Sequence, residues 1–573
     1  MRTVEEVEPR ARVLSLLALA LMAYLVLLGR LGYWQAIRHR DLAAVARAQH
    51  DDRLVLPAVR GRLLDRYGAP LVTNTPVFSI FASPDLIPTA DRAEVADRLG
   101  GVLGLAPTDL LAKLSTTRKF VYLKRRVPAS VAHQVEALAE PGIGKIAESQ
   151  RSYLEGAVPG TSLAANLLGF VNDSGQGAYG IEGYYDKQLA GTNGYEATFR
   201  DITGRPIVLS DRTRVEPVNG ASLQLTIDGA IQVAAERALA DGVKKVGAES
   251  GSILIMEPTT GRIVAWADIP TYDANLFSTV AGQNPRLFVD SNVSDLYEPG
   301  SVMKVVTLSG ALDRHAITPT TTFNETGSVV IGGYRIKNWD NKAHGVVTMT
   351  QVLEKSLNVG AIKAEQLEGG PAFFESLSEF GVGQRTNVDL AGEANATLGA
   401  YASWRPVELA TASFGQGVDV TPIQMLGAIN VIASGGDLVW PHVVDQVVDA
   451  RGVAHPVEPK VIRHVLTPTT VSEMRQMMIG VVEHGSGYAA RIDGFRGKIA
   501  GKTGTANIPE NGTYPPGEVI GSFVGFVPVD HPQFTMLVIV RKPKILFEGA
   551  YVAAPIWKAV ASALITQWNI APQ

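Results

Sequence analysis

Ser301 and Lys304 stand three residues apart in YEPGSVMKVVT, residues 297–307, directly behind a Pro-Gly pair, and no other lysine in the chain has a serine three residues before it. One turn of helix puts both side chains on the same face, and the Pro-Gly pair predicts a helix start at that point. A serine in a first turn lies near unpaired N–H groups and at the positive end of the helix dipole, and both favour an oxyanion. Its hydroxyl is still a weak nucleophile and needs a base. A lysine of ordinary pKa near 10.4 must come down by roughly 3 units, ~4 kcal/mol, before it can take a proton at neutral pH. Burial and a second cation close by are the two ways to bring it down. The pair therefore demands another lysine, and a proton relay, elsewhere in the chain.

Both are present. KSLNVG supplies Ser356 and Asn358, beginning 55 residues after Ser301, and AGKTGTAN supplies Lys502, Thr503, Gly504 and Thr505. Taken singly, Ser-x-x-Lys reads as a capped helix with a solvated lysine, Ser-x-Asn as a turn, and Lys-Thr-Gly as a hairpin loop. Three such pieces in this order form the motif set of penicillin-recognising serine enzymes.

The elements that must position these residues are legible from periodicity. RGRLLDRYGAPLVTN, residues 60–74, predicts two strands about a turn at Tyr67-Gly68. Residues 90–140 read as helical, and GAYGIEGYYDKQLAG, residues 177–191, as an amphipathic stretch between glycines. A compact α/β domain begins near residue 223. A long helix in LQLTIDGAIQVAAERALA is followed by a hairpin from SILIME and RIVAWA. A second hairpin, GSFVGFVPV and FTMLVIV about DHPQ, precedes a helical tail. Strands at both ends with helices between predict one antiparallel sheet with helices packed on it, closed by the first and last segments.

Composition narrows the classes. The 573 residues exceed one core, and 46% apolar with 19% charged residues suits folded domains. A net charge of −4 gives no nucleic-acid footprint. There is no cysteine, so neither disulfides, thiolate zinc sites nor cysteine nucleophiles are available. The ten histidines show no HExxH and no ligand pair at helical spacing, so no metal and no cofactor is expected. Val13 to Gly29 is a 17-residue run without a charge, followed by Arg30, Tyr33 and Trp34. It reads as an uncleaved membrane anchor, because no small-residue cleavage site follows. Arginines lie on both sides of it and do not choose an orientation. Trp266, Trp339, Trp404 and Trp557 read as packing residues, and the basic LKRRV as a solvated strand edge.

On these motifs the chain resembles a class B penicillin-binding protein, a monofunctional transpeptidase of bacterial cell walls. RGRLLDRYGAPL, FVYLKRRV and GAYGIEGYYDKQLAG are similar to the family's N-terminal boxes. MEPTTGRIVAWADIPTYDAN, SFGQGVDVTPIQ and GSFVGFVPV are similar to segments framing its catalytic domain. LYEPGSVMK, with Glu298, is closer to the division-type branch. The resemblance implies an α/β (α+β) penicillin-binding transpeptidase fold in three parts: a cytoplasmic tail and transmembrane anchor in residues 1–33, a mixed pedestal or dimerisation-type domain in 34–222, and the transpeptidase domain in 223–573. By the same resemblance Ser301 attacks the penultimate D-Ala carbonyl of a stem peptide, and a neighbouring stem's amine resolves the acyl-enzyme. Lys304 is then the base, Ser356 the relay, and Asn358 holds Lys304. Lys502 depresses Lys304 and, with Thr503 and Thr505, receives the substrate carboxylate, while the Ser301 and Thr505 N–H groups bind the oxyanion. Implied partners are peptidoglycan stem peptides, β-lactam antibiotics, the membrane, a lipid-II polymerase of the SEDS type and other cell-division proteins, with no nucleic acid. The catalytic domain is placed outside the cytoplasmic membrane.

Two departures stand out. RSYLEGAVPG carries Leu154 where the family box has proline, with about five extra residues before Leu-Gly-Phe, on the motif reading. No appended wall-binding repeats are expected beyond Gln573. The rival readings are a β-lactamase or carboxypeptidase, which passes the acyl group to water, and a non-catalytic scaffold or penicillin sensor.

Overall fold

The computed structural model describes residues 9–38, 51–199, 213–495, 497–509, 514–515 and 517–571. They group into two compact units, residues 1–58 with 192–219, and 59–191 with 220–573. In the first, α1 (Pro9–Gly32) continues through a π turn at Tyr33–Ile37. The apolar stretch Ala11–Ile37 is 27 residues, about 40 Å of helix, longer than the ~30 Å hydrocarbon layer. Arg30, Tyr33 and Trp34 thus lie inside the helical run that the sequence reading placed at 13–29. The same unit holds an antiparallel sheet in which Gly194–Phe199 pairs with Asp51–Leu56 and Thr213–Val215.

The second unit opens with β1 (Leu63–Leu64) and β2 (Pro70–Ala82), joined by the expected turn. β3 (Val121–Val127) and β4 (Ile143–Tyr153) pair antiparallel with β2 on either side. Three helices, α2 (Arg92–Leu103), α3 (Pro107–Leu114) and α4 (Ala129–Ala137), enclose a small core of Ile80, Leu99, Leu110, Leu123 and Val135. The expectation of helix across 90–140 holds on both flanks and is corrected in the middle, where the strand edge read in LKRRV is found. YLKRR alternates and carries a β-branched flank, and it becomes a strand because the long β2 offers it a ladder. Its basic side chains are engaged: Lys124 donates to the Leu103 carbonyl, Arg125 pairs with Glu148 and Arg126 with Asp173.

β5 (Ser222–Leu225) occupies the start of the stretch in which the sequence reading set a long helix. It runs parallel to β1 and antiparallel to Val444–Val448, so it joins the two parts of this unit in one sheet. Helix α5 (Gly229–Val246) starts only after Asp228, whose carboxylate accepts from the Ala230 and Ile231 N–H groups. The main sheet follows the expected plan. β6 (Ser250–Met256) and β7 (Ile263–Ile269) form the first hairpin, β8 (Ala500–Asn507) is an edge, and β9 (Val519–Val527) and β10 (Phe534–Arg541) form the last hairpin. The order is β7-β6-β10-β9-β8, antiparallel throughout, with β6 against β10 closing the first segment on the last. Between α5 and the C-terminal α10 (Ala554–Gln567) the longer helices include α6 (Met303–Asp313), α7 (Asn358–Glu368), α8 (Pro422–Ser434) and α9 (Pro468–Glu483). α5 and α10 bury Leu239, Trp557 and Val560 against one sheet face, and the helical layer covers the other.

Helix α6 is buried at every position from Met303 to Leu312. A helix apolar all round belongs in a core, and this places Lys304 inside the protein. Trp266 and Trp557 are buried in the core, whereas Trp339 is 63% exposed and bonded through its indole N–H to the Lys355 carbonyl.

Arg151, beside the Leu154 departure, keeps a buried network. Glu182, wholly buried, accepts from Arg60 Nε at 2.8 Å and Arg151 Nε at 2.7 Å. Glu182→Ala leaves the buried Arg151 guanidinium without a carboxylate and Arg60 with Asp186 alone, and the expected loss is about 3–5 kcal/mol. Urea denaturation followed by intrinsic fluorescence checks it; an unchanged midpoint would show that the network carries no stability.

Candidate active site

The site lies where the N-terminus of α6 meets the edge strand β8. Residues 300–302 form a single 3₁₀ turn ahead of α6, so Ser301 projects from the turn and Lys304 from the first turn of the helix. Gly300 has φ of +57°, and an added Cβ would lie 2.7 Å from the Thr505 carbonyl oxygen. Gly415 closes the other side, where a Cβ would stand 2.1 Å from the Gly300 oxygen. The Pro-Gly pair therefore does more than start a helix, because only glycine lets the serine turn press against β8.

Lys304 Nζ has four oxygen neighbours: Ser356 O at 2.7 Å, Asn358 Oδ1 at 2.8 Å, Ser301 Oγ at 2.9 Å and Ser356 Oγ at 3.2 Å. The Asn358 amide is oriented by its own Nδ2, which donates to the Lys337 carbonyl at 3.0 Å, so its oxygen faces the lysine. A carbonyl and an amide oxygen can only accept. A neutral Lys304 amine has two N–H groups and one lone pair; the two obligate acceptors take both donors, and the lone pair is left for the Ser301 O–H. Lys304 is wholly buried. Burial first, and the charge of Lys502 second, hold its pKa well below that of an ordinary lysine.

Lys502 Nζ, also wholly buried, donates to Ser356 Oγ at 2.9 Å and to the Thr503 carbonyl at 2.8 Å. Burial brings it to about 7. Ser356 Oγ thus lies between the two amines. The Ser356 backbone is left-handed, with φ of +57°, a conformation that costs a non-glycine residue about 1–3 kcal/mol. It turns both the carbonyl and the hydroxyl of one residue onto Lys304.

Thr503 and Thr505 alternate with Lys502 and Gly504 along β8. Thr503 Oγ1 shares a 2.7 Å hydrogen bond with Ser486 Oγ, and Thr505 Oγ1 accepts from the Gly549 N–H at 3.1 Å. The structure therefore brings Ser301, Lys304, Ser356, Asn358 and Lys502 into one hydrogen-bonded cluster, with Thr503, Gly504 and Thr505 along its edge. Ser486, Gly549 and Asn338, which accepts from the Val359 N–H behind Asn358, were not found by sequence reasoning. They act through single contacts across long chain separations, and no spacing announces them. Glu298, read only as a branch marker, is buried and accepts from the Gly417 N–H at 2.9 Å and from Tyr514 at 3.1 Å, fixing the turn before Ser301. Among the described residues no cluster of three or more histidine or carboxylate side chains is placed to hold a metal ion.

Comparison with known proteins shows the family. The family described as penicillin binding protein transpeptidase domain matches residues 251–562, and the penicillin-binding protein dimerisation domain matches residues 55–225. The chain is 31% identical to the peptidoglycan D,D-transpeptidase FtsI of Escherichia coli K12, covering 96% of this chain and 91% of that protein. It is 29% identical to the stage V sporulation protein D of Bacillus subtilis, over 100% and 88% respectively. The crystal structure of penicillin-binding protein 3 of Mycobacterium tuberculosis complexed with aztreonam superposes with a TM-score of 0.69 at 25% identity, covering 91% of this chain and 98% of that one.

The lowered Lys304 value carries a pH prediction. The rate of Ser301 acylation by a β-lactam is expected to fall as pH drops through the lowered Lys304 value. Lys502→Met removes the neighbouring charge, so Lys304 rises and the acid limb moves to higher pH. Stopped-flow acylation over a pH series reads the shift, and an unmoved limb would dissociate Lys502 from Lys304.

Proposed function

The chain belongs to the class B penicillin-binding proteins, among relatives of the division type, and we propose that it is a peptidoglycan D,D-transpeptidase that cross-links stem peptides through a Ser301 acyl-enzyme. The observation that carries this reading is the 2.9 Å contact between Ser301 Oγ and a Lys304 amine whose two N–H groups are already engaged. In this reading Lys304 takes the Ser301 proton as Oγ bonds to the penultimate D-Ala carbonyl carbon. The N–H groups of Ser301 and Thr505 receive the oxyanion. As the C–N bond breaks, the proton passes from Lys304, through Ser356 Oγ, to the departing D-Ala nitrogen. An acceptor amine then attacks the ester along the same path, and its proton returns through the relay to Ser301 Oγ.

Lys502 holds the substrate carboxylate with the Thr503 and Thr505 hydroxyls, and that anion favours the charged form of Lys502 once it is bound. Penicillins, which carry a carboxylate beside a strained amide, enter by the same contacts and acylate Ser301. Residues 1–33 serve as tail and membrane anchor, 34–222 as pedestal, and 223–573 as the transpeptidase domain, held outside the cytoplasmic membrane where lipid-linked peptidoglycan lies. The pedestal offers a contact surface for a lipid-II polymerase of the SEDS type during septal wall synthesis.

Fluorescent-penicillin labelling tests the acyl-enzyme. The wild type is expected to label, and Ser301→Ala and Lys304→Ala are expected to lose the label by at least about 10³-fold, the scale for removing a nucleophile or its base. A serine variant that keeps its label would end the assignment. Supplying a D-amino-acid acceptor to a D-Ala ester or thioester donor then separates transfer from hydrolysis by the product released.

A further inference from the structure

At the Thr503–Thr505 end of the site two tyrosines stand in the open. Tyr488 is 47% exposed and Tyr551 43% exposed, with ring centroids 6.5 Å apart at an interplanar angle of 77°. Each is tied by a two-residue step to one of the threonines. Tyr488 follows Ser486, whose hydroxyl bonds Thr503, and Tyr551 follows Gly549, whose N–H bonds Thr505. Glu548, exposed, directly precedes Gly549. The Tyr551 phenol is held above its ordinary range first by the Tyr488 hydroxyl beside it and also by the Glu548 carboxylate. The core reaction above uses none of these three side chains.

The geometry points to an acceptor subsite: Tyr488, Tyr551 and Glu548 form a platform that docks the acceptor strand by its primary ammonium group. This rests on the transpeptidase reading and specifies where the second substrate binds. Microscopic reversibility supplies the placement. The attacking nitrogen occupies the position that the terminal D-Ala nitrogen has left, so the acceptor must approach through the end of the cleft where the D-Ala carboxylate was held. That end is marked by Thr503 and Thr505. An acceptor amine arrives protonated at neutral pH. Two aromatic faces and a carboxylate are the groups that recognise an ammonium, and the methylene chain behind it packs on the rings. The ammonium first gives one proton to solvent; the neutral amine then bonds to the acyl carbon while the Ser301 Oγ–C bond breaks, and its second proton passes through the Ser356–Lys304 relay to Ser301 Oγ. Hydrolysis needs no such platform, so these side chains set how often an amine outcompetes water.

The test uses the full-length chain, a D-Ala thioester donor and D-lysine as the acceptor probe. Tyr488→Ala with Tyr551→Ala is expected to raise the D-lysine concentration for half-maximal transfer about fivefold, and Glu548→Gln about threefold, the scale of exposed cation–π and ion-pair contacts. Maximal transfer and penicillin acylation, which has no acceptor, set the comparison: a change confined to the acceptor KM supports the platform. Retention of affinity by Tyr551→Phe also supports it, since the ring face remains. Unchanged D-lysine dependence in Glu548→Gln together with normal acylation would overturn the inference, even if the double alanine variant failed to fold. Failure of the wild type to acylate at Ser301 would instead overturn the transpeptidase reading beneath it.

Discussion

Lys304 and Lys502 are both wholly buried, and their nitrogens lie 3.2 and 2.9 Å from the same Ser356 hydroxyl. Two ammonium ions held this close, with neither paired to a carboxylate among the described residues, cannot both keep their charge in a dry site. Lys304, with two obligate acceptors and a second cation beside it, is the one that gives it up. The proximity that depresses its pKa also points its lone pair at Ser301. Reactivity here comes from a crowding of like groups that folding imposes and that no isolated Ser-x-x-Lys pair would experience.

Such crowding is unfavourable in itself, and the surrounding architecture holds it in place. Helix α6 is buried along its length, which denies Lys304 a route to solvent. β8 is anchored on one side by its full ladder with β9 and presents its other side to the serine turn. The turn is pinned by Gly300 against Thr505, by Gly415 against Gly300, and by Glu298 against the Gly417 N–H. The left-handed Ser356 is strain of the same kind, kept because its neighbours over-determine it. The reactive groups thus come from three separated segments, each fixed by rigid backbone and none by a loop alone.

The part ahead of residue 220 follows different physics. Its small core of Ile80, Leu99, Leu110 and Leu123 is supplemented by the doubly paired Glu182. β5 then lies beside β1, so residues 59–191 and 220–573 share one sheet and one compact unit. The Leu154 departure leaves this intact, since Leu154 is 49% exposed and its N–H, which a proline lacks, donates to the Leu71 carbonyl. Arg151 bonds Glu182, the Gly61 carbonyl and Asn74.

Local sequence was enough for the chemistry-bearing residue types, the two hairpins that close the sheet, and the apolar N-terminal helix. These depend on local spacing, on period-two and period-3.6 patterning, and on uninterrupted hydropathy, all of which are written in neighbouring residues. It left Val121–Val127 between two readings, a helix across 90–140 and a strand edge in LKRRV, and set a helix in the stretch that opens with Ser222–Leu225, because a strand's partner lies far along the chain and only the partner decides between ladder and helix. It named the second lysine and the relay as requirements, but not that one hydroxyl would stand between both amines, nor that Ser486 and Gly549 would hold the two threonines. Those are distances across 17 and 44 residues of separation, and only packing in three dimensions sets them.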